Sequence, residues 1–438
     1  MEQDFTELVT RLVFQLAIIL VAAKLGGEVC ERYLKVPPVL GELVAGIIIG
    51  PFALGGLSFL GLESLFEKAS KAVEASGGIP VSLELFSLSQ IAAVVLLFAA
   101  GLETNLKQFL RYAGPASLVA VGGVALPFAF GMGATLLFKP GGLSGDALLY
   151  SALFMGAVMS ATSVGITARV LSEKHKLDTP EGVTILAAAV IDDVLGILVL
   201  TVVVGMATPG EQVSASGVAL IGGKALGFWL ALVGGGILVS RYISRVVGSF
   251  RVSGARVALA LAIAFLCAAL AESFGLAMII GAYSIGLALS GTPLARQLEE
   301  PITAVYHALV PIFFVVMGMM VDVTAMGGVV FFGTVITALA VVSKVVGCGI
   351  PALATGFNRI GAWRIGIGML PRGEVALIVA GIGLSRGVIE TDLFGVSIMM
   401  TIATTLIAPI IMVSAFGKGG AGRRGHPSPE GGAVDVAR

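Results

Sequence analysis

Long apolar runs, each about the length of a bilayer crossing, follow one another along the chain and are cut by short clusters of Gly, Pro and charge. A spanning helix needs roughly 20 mostly apolar residues. The runs that qualify are 10–29, 38–56, 83–101, 113–138, 146–171, 181–207, 215–244, 254–272, 275–290, 302–321, 327–355, 361–385 and 391–415. The pattern predicts an all-α polytopic membrane protein with about 13 transmembrane helices, a single membrane domain over residues 1–416. Residues 417–438, rich in Gly, Pro and charge, are predicted to be a disordered tail with no soluble domain after the membrane part. Gly61 to Ala75 departs from the pattern: it is short, charged and amphipathic, and is expected to lie at the membrane surface.

Composition agrees, with 57% hydrophobic and only 12% charged residues, against about 25% charged in soluble domains. The formal net charge is zero, which offers nucleic acid or another polyanion no basic surface to bind. Cys30, Cys267 and Cys348 are scattered and suggest neither a disulfide framework nor a metal site. The acidic start (Glu2, Asp4, Glu7) and the length of the first run predict that this helix is not a cleaved leader.

Lysine and arginine divide unevenly between alternate connections. One side receives Lys24, Arg32, Lys35, Lys107, Arg111, Arg169, Lys174, Lys176, Arg241, Arg245, Arg251, Arg256, Arg296, Arg359, Arg364 and the basic tail. The other receives Arg11, Lys68, Lys71, Lys139 and Arg386. The excess of positive charge marks the cytoplasmic side, so the N-terminus is expected outside and the C-terminus inside, in a plasma (inner) membrane. Leu97–Asn105 (LFAAGLETN) also echoes Phe314–Asp322 (FVVMGMMVD). Separation by an odd number of crossings would invert one copy, as in the inverted repeats of secondary transporters.

The chemistry sits inside the apolar runs. Asp192 and Asp193 are adjacent within Val183–Ala207, where each acid costs roughly 2.5–3.5 kcal/mol on insertion scales unless something compensates it. Neighbouring helical residues point about 100° apart, so the two cannot face the same partner. Lys344, deep in VITALAVVSKVVGCGIPAL, is the candidate counter-charge. A purely structural Asp192–Lys344 pair would leave the second aspartate unaccounted for. Pro371, Arg372, Gly373 and Glu374 interrupt one run, and Ser160 to Thr167 (SATSVGIT) interrupt another. Broken backbone at membrane depth is tolerated only where protein or water satisfies it. The freed carbonyls and the hydroxyls of Thr162 and Ser163 suit a monovalent cation, although any one such hydroxyl alone reads as ordinary back-bonding.

Asp192, Asp193 and Glu374 set against Lys344 and Arg372 leave one uncompensated negative charge, room for one cation or one proton. Close carboxylates titrate as a coupled pair, so the two ions can compete for a single site. Glu42, Glu103 and Asp322 lie near segment ends and read as caps or pairs; Glu272 reads as a turn residue, and His175 and His307 as ordinary histidines near the cytoplasmic side.

With these residues in hand, the chain resembles the monovalent cation:proton antiporter superfamily, in the branch of the NapA-type sodium/proton antiporters, related to the glutathione-gated potassium efflux proteins. The resemblance runs over 10–415 and rests on strings in a shared order: VPPVLGELVAGIIIGP (36–51), LFAAGLET (97–104), ATSVGIT (161–167), IDDVLG (191–196), PIFFVVMGMMVD (311–322), SKVVGCG (343–349) and GMLPRGEVALIVA (368–380). It implies an NhaA/NapA-like fold with two broken, crossing helices, and a homodimer. A core (about 113–207 and 327–415) would move against a dimerisation part (about 10–56 and 215–290). It further implies that Asp193 carries the ion and the proton, that Asp192 pairs with Lys344 when no cation is bound, that Thr162 and Ser163 lend oxygens, and that Glu374 supports the lysine. The potassium efflux branch differs at the residue before its essential aspartate and adds a nucleotide-binding domain. The expectation is therefore an antiporter, not an enzyme and without a cofactor, that exchanges Na+ or Li+ for H+ by an elevator motion. K+/H+ exchange is the first alternative and a cation channel the second. An aspartyl protease would need its two acids on different helices.

Overall fold

A computed structural model describes residues 2–56, 64–66, 80–207, 215–322, 329–417 and 419–423, and among these the architecture is wholly helical. In chain order the helices are α1 (Glu2–Val29), α2 (Pro38–Ile49), α3 (Leu83–Glu103), α4 (Leu106–Phe138), α5 (Gly145–Ser160), α6 (Val164–Glu173), α7 (Pro180–Ala207), α8 (Ala215–Ser249), α9 (Ala255–Ser273) and α10 (Met278–Ser290). They continue with α11 (Pro293–Met319), α12 (Val330–Ala354), α13 (Arg359–Gly368), α14 (Glu374–Ser385) and α15 (Thr391–Gly417). Among the described residues, eleven spans are long and apolar enough to cross a membrane, with α5 and α6 together forming one of them; two shorter apolar helices, Met278–Ser290 and Val375–Leu384, accompany them.

Helix starts follow local chemistry more closely than hydropathy. α4 begins at Leu106, ahead of the apolar run at 113, because the Asn105 side chain accepts the Gln108 amide proton at 3.2 Å and caps the turn. α11 begins at Pro293, well before 302, with Pro in its first turn. Its early turns bury Leu294, Ala295, Leu298 and Ile302 while Arg296, Glu299 and Glu300 face outward. That is an amphipathic stripe, which an all-apolar window does not register.

Small residues set the helix spacing. A Cβ added to Gly41 would overlap the Gly26 carbonyl across α1 and α2, and one at Gly46 would overlap the Val315 carbonyl across α2 and α11. The same close approach recurs between Gly281 and Cys267 (α10 and α9), between Gly101 and Tyr283 (α3 and α10), and between Gly122 and Gly347 (α4 and α12). Lipid tails give no hydrophobic drive for association, so close backbone approach is how such helices gain packing energy.

One expectation changes. The chain from 417 onward is not wholly disordered, because residues 419–423 dock on the helices. The Asn358 amide and side chain donate to the Gly422 and Ala421 carbonyls at 3.0 and 2.6 Å, and Arg423 donates to the Tyr112 hydroxyl at 3.0 Å and lies over its ring. Glycines permit this contact, since a Cβ at Gly422 would overlap the Glu181 carboxylate. The amphipathic segment Gly61–Ala75 lies largely outside the described residues; within it, Phe66 is buried, and the Ser64 and Leu65 carbonyls accept from Arg11 and Gln15 of α1 at 3.1 and 2.7 Å.

Candidate functional site

Two interruptions meet at the centre of the molecule. α5 ends at Ser160 and α6 starts at Val164, with Ala161 and Ser163 in extended conformations between them. α13 ends at Gly368, and the chain stays non-helical through Gly373 before α14. The backbone groups freed by one break are satisfied by the other. The Ser163 amide donates to the Pro371 carbonyl at 2.7 Å, Thr167 donates to Gly368 at 2.7 Å, and Thr162 donates to Met369 at 3.4 Å. Thr162 and Ser163 are both buried, and Gly373 lets the Ser163 hydroxyl lie against the facing strand of chain. This mutual satisfaction is what permits non-helical backbone away from water.

Two fully buried cations stand at the C-terminal end of α5. Lys344 on α12 donates to the Ser160 carbonyl at 2.7 Å, to the Gly123 carbonyl at 2.8 Å and to Asp192 Oδ1 at 3.0 Å. Arg372 donates twice to Met159, at 2.6 and 3.2 Å, and to Leu370 at 3.2 Å, while its own carbonyl accepts from the Thr405 hydroxyl. Carbonyls at a helix C-terminus carry partial negative charge, so both cations are stabilised there. Arg372 is thus a cap for a broken helix.

Asp192 and Asp193 are both buried on α7, which packs against α4 and α5. The ammonium of Lys344 reaches the first, and the second points elsewhere on the helix. Glu374 opens α14, and its side chain lies outside the described structure.

Other charges proved more deeply placed than the sequence suggests. Arg169 and Arg364, counted among loop charges, are buried. Arg364 pairs with Glu181 at 2.8 Å beneath the docked residues 419–423. Arg169 on α6 pairs with Glu173 at 2.6 Å, approaches Glu42 of α2 at 3.7 Å and lies over the Tyr306 ring of α11. Glu42, Glu103, Glu173, His175 and His307 all line one cavity of about 1060 Å³, which is not lined by Asp192 or Asp193. Glu103 accepts from Ser172 at 3.0 Å; Asp322 is half-buried past the end of α11, and Glu272 is exposed near the end of α9. The i, i+4 spacing of Arg169 and Glu173 was the available signal for the buried pair.

A profile of the transmembrane sodium/hydrogen exchangers matches residues 16–416. The chain belongs to the sodium/hydrogen exchanger family. This exchanger is 36% identical to the high-affinity Na+/H+ antiporter NhaS3 of Synechocystis over 91% of its own length and 88% of the relative's. It is 35% identical to the Na+/H+–K+ antiporter GerN of Bacillus cereus, over 92% and 96% of the two chains. Its fold is like that of the sodium proton antiporter MjNhaP1 of Methanocaldococcus jannaschii, with a TM-score of 0.65 and 16% identity over 94% of this chain and 97% of that one. The exchanger is therefore an integral multi-pass membrane protein and a cation/proton antiporter, a transporter and not an enzyme.

Proposed function

We propose that this exchanger is a NapA-type secondary antiporter that moves Na+, with Li+ as a congener, against H+ at a site formed by Asp192 and Asp193. The observation that carries the reading is the Asp192–Lys344 ion pair, 3.0 Å long and fully buried where the two unwound segments meet. Such a pair is stable without cargo and can be released by a cation that binds the carboxylates in place of the ammonium. Asp193 binds the cation or a proton, Asp192 alternates between Lys344 and the cation, and the hydroxyls and carbonyls around Thr162 and Ser163 complete the oxygen shell. Arg372 holds the break in shape, and Glu374 acts with Lys344.

In this reading the long and short spans make thirteen crossings, with the N-terminus outside and the C-terminus in the cytoplasm of a plasma (inner) membrane. Inverted repeats gain support from matched glycine contacts. Gly46 on α2 meets α11 beside Gly318, while Gly286 on α10 meets α3 beside Gly101, and Gly101 and Gly318 are equivalent positions in the sequence echo. The proposed core (about 113–207 and 327–415) would slide against a dimerisation part (about 10–56 and 215–290) in a homodimer.

K+ is the second candidate cargo, because GerN, similar over almost its whole length, is described as a Na+/H+–K+ antiporter. Proteoliposomes with an internal pH dye, challenged with Na+, Li+, K+ and Rb+, test the reading. Wild type should release protons for Na+ and Li+, and Asp193→Asn should abolish the response; exchange retained in Asp193→Asn overturns the site. A dominant K+ response moves the assignment to the second candidate.

A further inference from the structure

The aspartate site combines two carboxylates with one buried cation. The same composition recurs among the described residues at the floor of the large cavity: Glu42 and Glu173 surround Arg169, and all three are largely shielded from solvent. The Arg169 Nε donates to Glu173 on its own helix at 2.6 Å, whereas Nη2 stands 3.7 Å from Glu42 Oε1, beyond hydrogen-bonding range. Arg169 therefore commits its better contact to Glu173. Glu42 is 2% exposed, and its Oε2 has no hydrogen-bond partner among the described residues. A buried carboxylate whose nearest cation among the described residues stands beyond hydrogen-bonding range is costly unless a further positive charge reaches it.

The cavity supplies the route. Its wall includes Lys24 of α1, Glu103 of α3 and His307 of α11 as well as this cluster. Beyond Glu42, the next residues along the same helix, Leu43 and Ile47, line a small apolar pocket with Ile166, Phe313 and Gly373. Gly373 borders the interruption before α14. Glu42 thus stands between the open cavity and the crossing of the unwound segments.

We propose that Glu42, with Glu173 and Arg169, forms a vestibule site for a monovalent cation at the cavity floor, occupied before the cation passes to the aspartates. This proposal rests on the antiport reading. Low-dielectric walls lined by carboxylates concentrate cations. The site would therefore set the apparent affinity at one membrane face without performing the exchange itself.

The test uses the full chain in proteoliposomes of uniform orientation, with Na+ titrated from each face. Glu42→Gln should raise the apparent KM about tenfold from the face that bears the cavity and leave the opposite face and the maximal rate near wild type; Glu42→Asp, which keeps the charge, should recover most of the affinity. A KM at the cavity face unchanged from wild type in Glu42→Gln would overturn the proposal, as would an equal loss of affinity at both faces. A second measurement does not depend on Glu42→Gln folding. In Asp192→Asn/Asp193→Asn protein, Na+ should still raise the thermal midpoint above that in equal choline chloride. No Na+ stabilisation means that water alone occupies the floor, and the vestibule site is refuted. Failure of wild type to exchange any cation for protons would instead count against the antiport reading.

Discussion

At the scale of single residues, the buried lysine makes the sharpest demand on the protein. Lys344 has all three of its donors placed, on Ser160, Gly123 and Asp192. Removing it strands a carboxylate and two carbonyls at once. Lys344→Ala should therefore lower stability by about 3–5 kcal/mol, whereas pairing Lys344→Met with Asp192→Leu should restore much of that loss, because no uncompensated charge remains. Thermal unfolding in detergent measures both. The double variant should still be inactive, since Asp192 has left the site; a stable double variant with normal exchange would refute a cargo role for Asp192.

Arg372 tests a different idea at the same scale. It touches the Met159 and Leu370 carbonyls, so it repairs a helix end. Arg372→Lys keeps the charge but cannot reach two carbonyls with a rigid fork. The expected result is a loss of about 1–3 kcal/mol of stability with cation order unchanged. A changed preference among Na+, Li+ and K+ in the proteoliposome assay would instead make Arg372 part of the selectivity shell.

At the scale of elements, much was legible from hydropathy and much was not. The apolar runs locate the helices, and the Ser/Thr-rich string Ser160–Thr167 and the Pro–Gly string Pro371–Glu374 mark the breaks, because these features are written locally in the sequence. What a single chain does not write is which face of a helix meets which neighbour. That is why Arg169 and Arg364 read as loop charges although α6 and α13 bury them, and why the docked residues 419–423 read as a disordered tail. Glycine illustrates the same limit. Gly318 and Gly235 look alike in sequence, yet a Cβ at the first would overlap the Leu43 carbonyl of α2 while a Cβ at the second meets nothing within 4 Å. Gly318→Ala should therefore cost at least about 1–3 kcal/mol through overpacking, and Gly235→Ala should be neutral or slightly stabilising, since Ala is the better helix former. Comparable unfolding midpoints for the two variants would refute the close α2–α11 packing.

At the scale of the whole molecule, burial is graded across the helices in a way that separates scaffold from site. The span that contains the first break, Gly145–Glu173, has 78% of its apolar window buried, against 17% for Thr6–Leu34 and 22% for Ser216–Ser249. The peripheral helices α1 and α8 thus offer their apolar faces to lipid or to a second copy, while the broken helix is enclosed by protein. Residues 419–423 add a clasp whose described contacts go to α4 through Tyr112, to α7 beside Glu181 and to α13 through Asn358 and Arg364. All three helices belong to the proposed core, and none belongs to the proposed dimerisation part. If the core moves as one body, a clasp confined to it should tighten that body without hindering the slide. Truncation after Gly417 should then lower the thermal midpoint by a few degrees, about 1–2 kcal/mol for the loss of a few hydrogen bonds, with the order of transported cations unchanged. A truncated chain of normal stability whose exchange is faster than wild type would mean that the clasp restrains the motion, and the tail would have to be redrawn as a brake on transport.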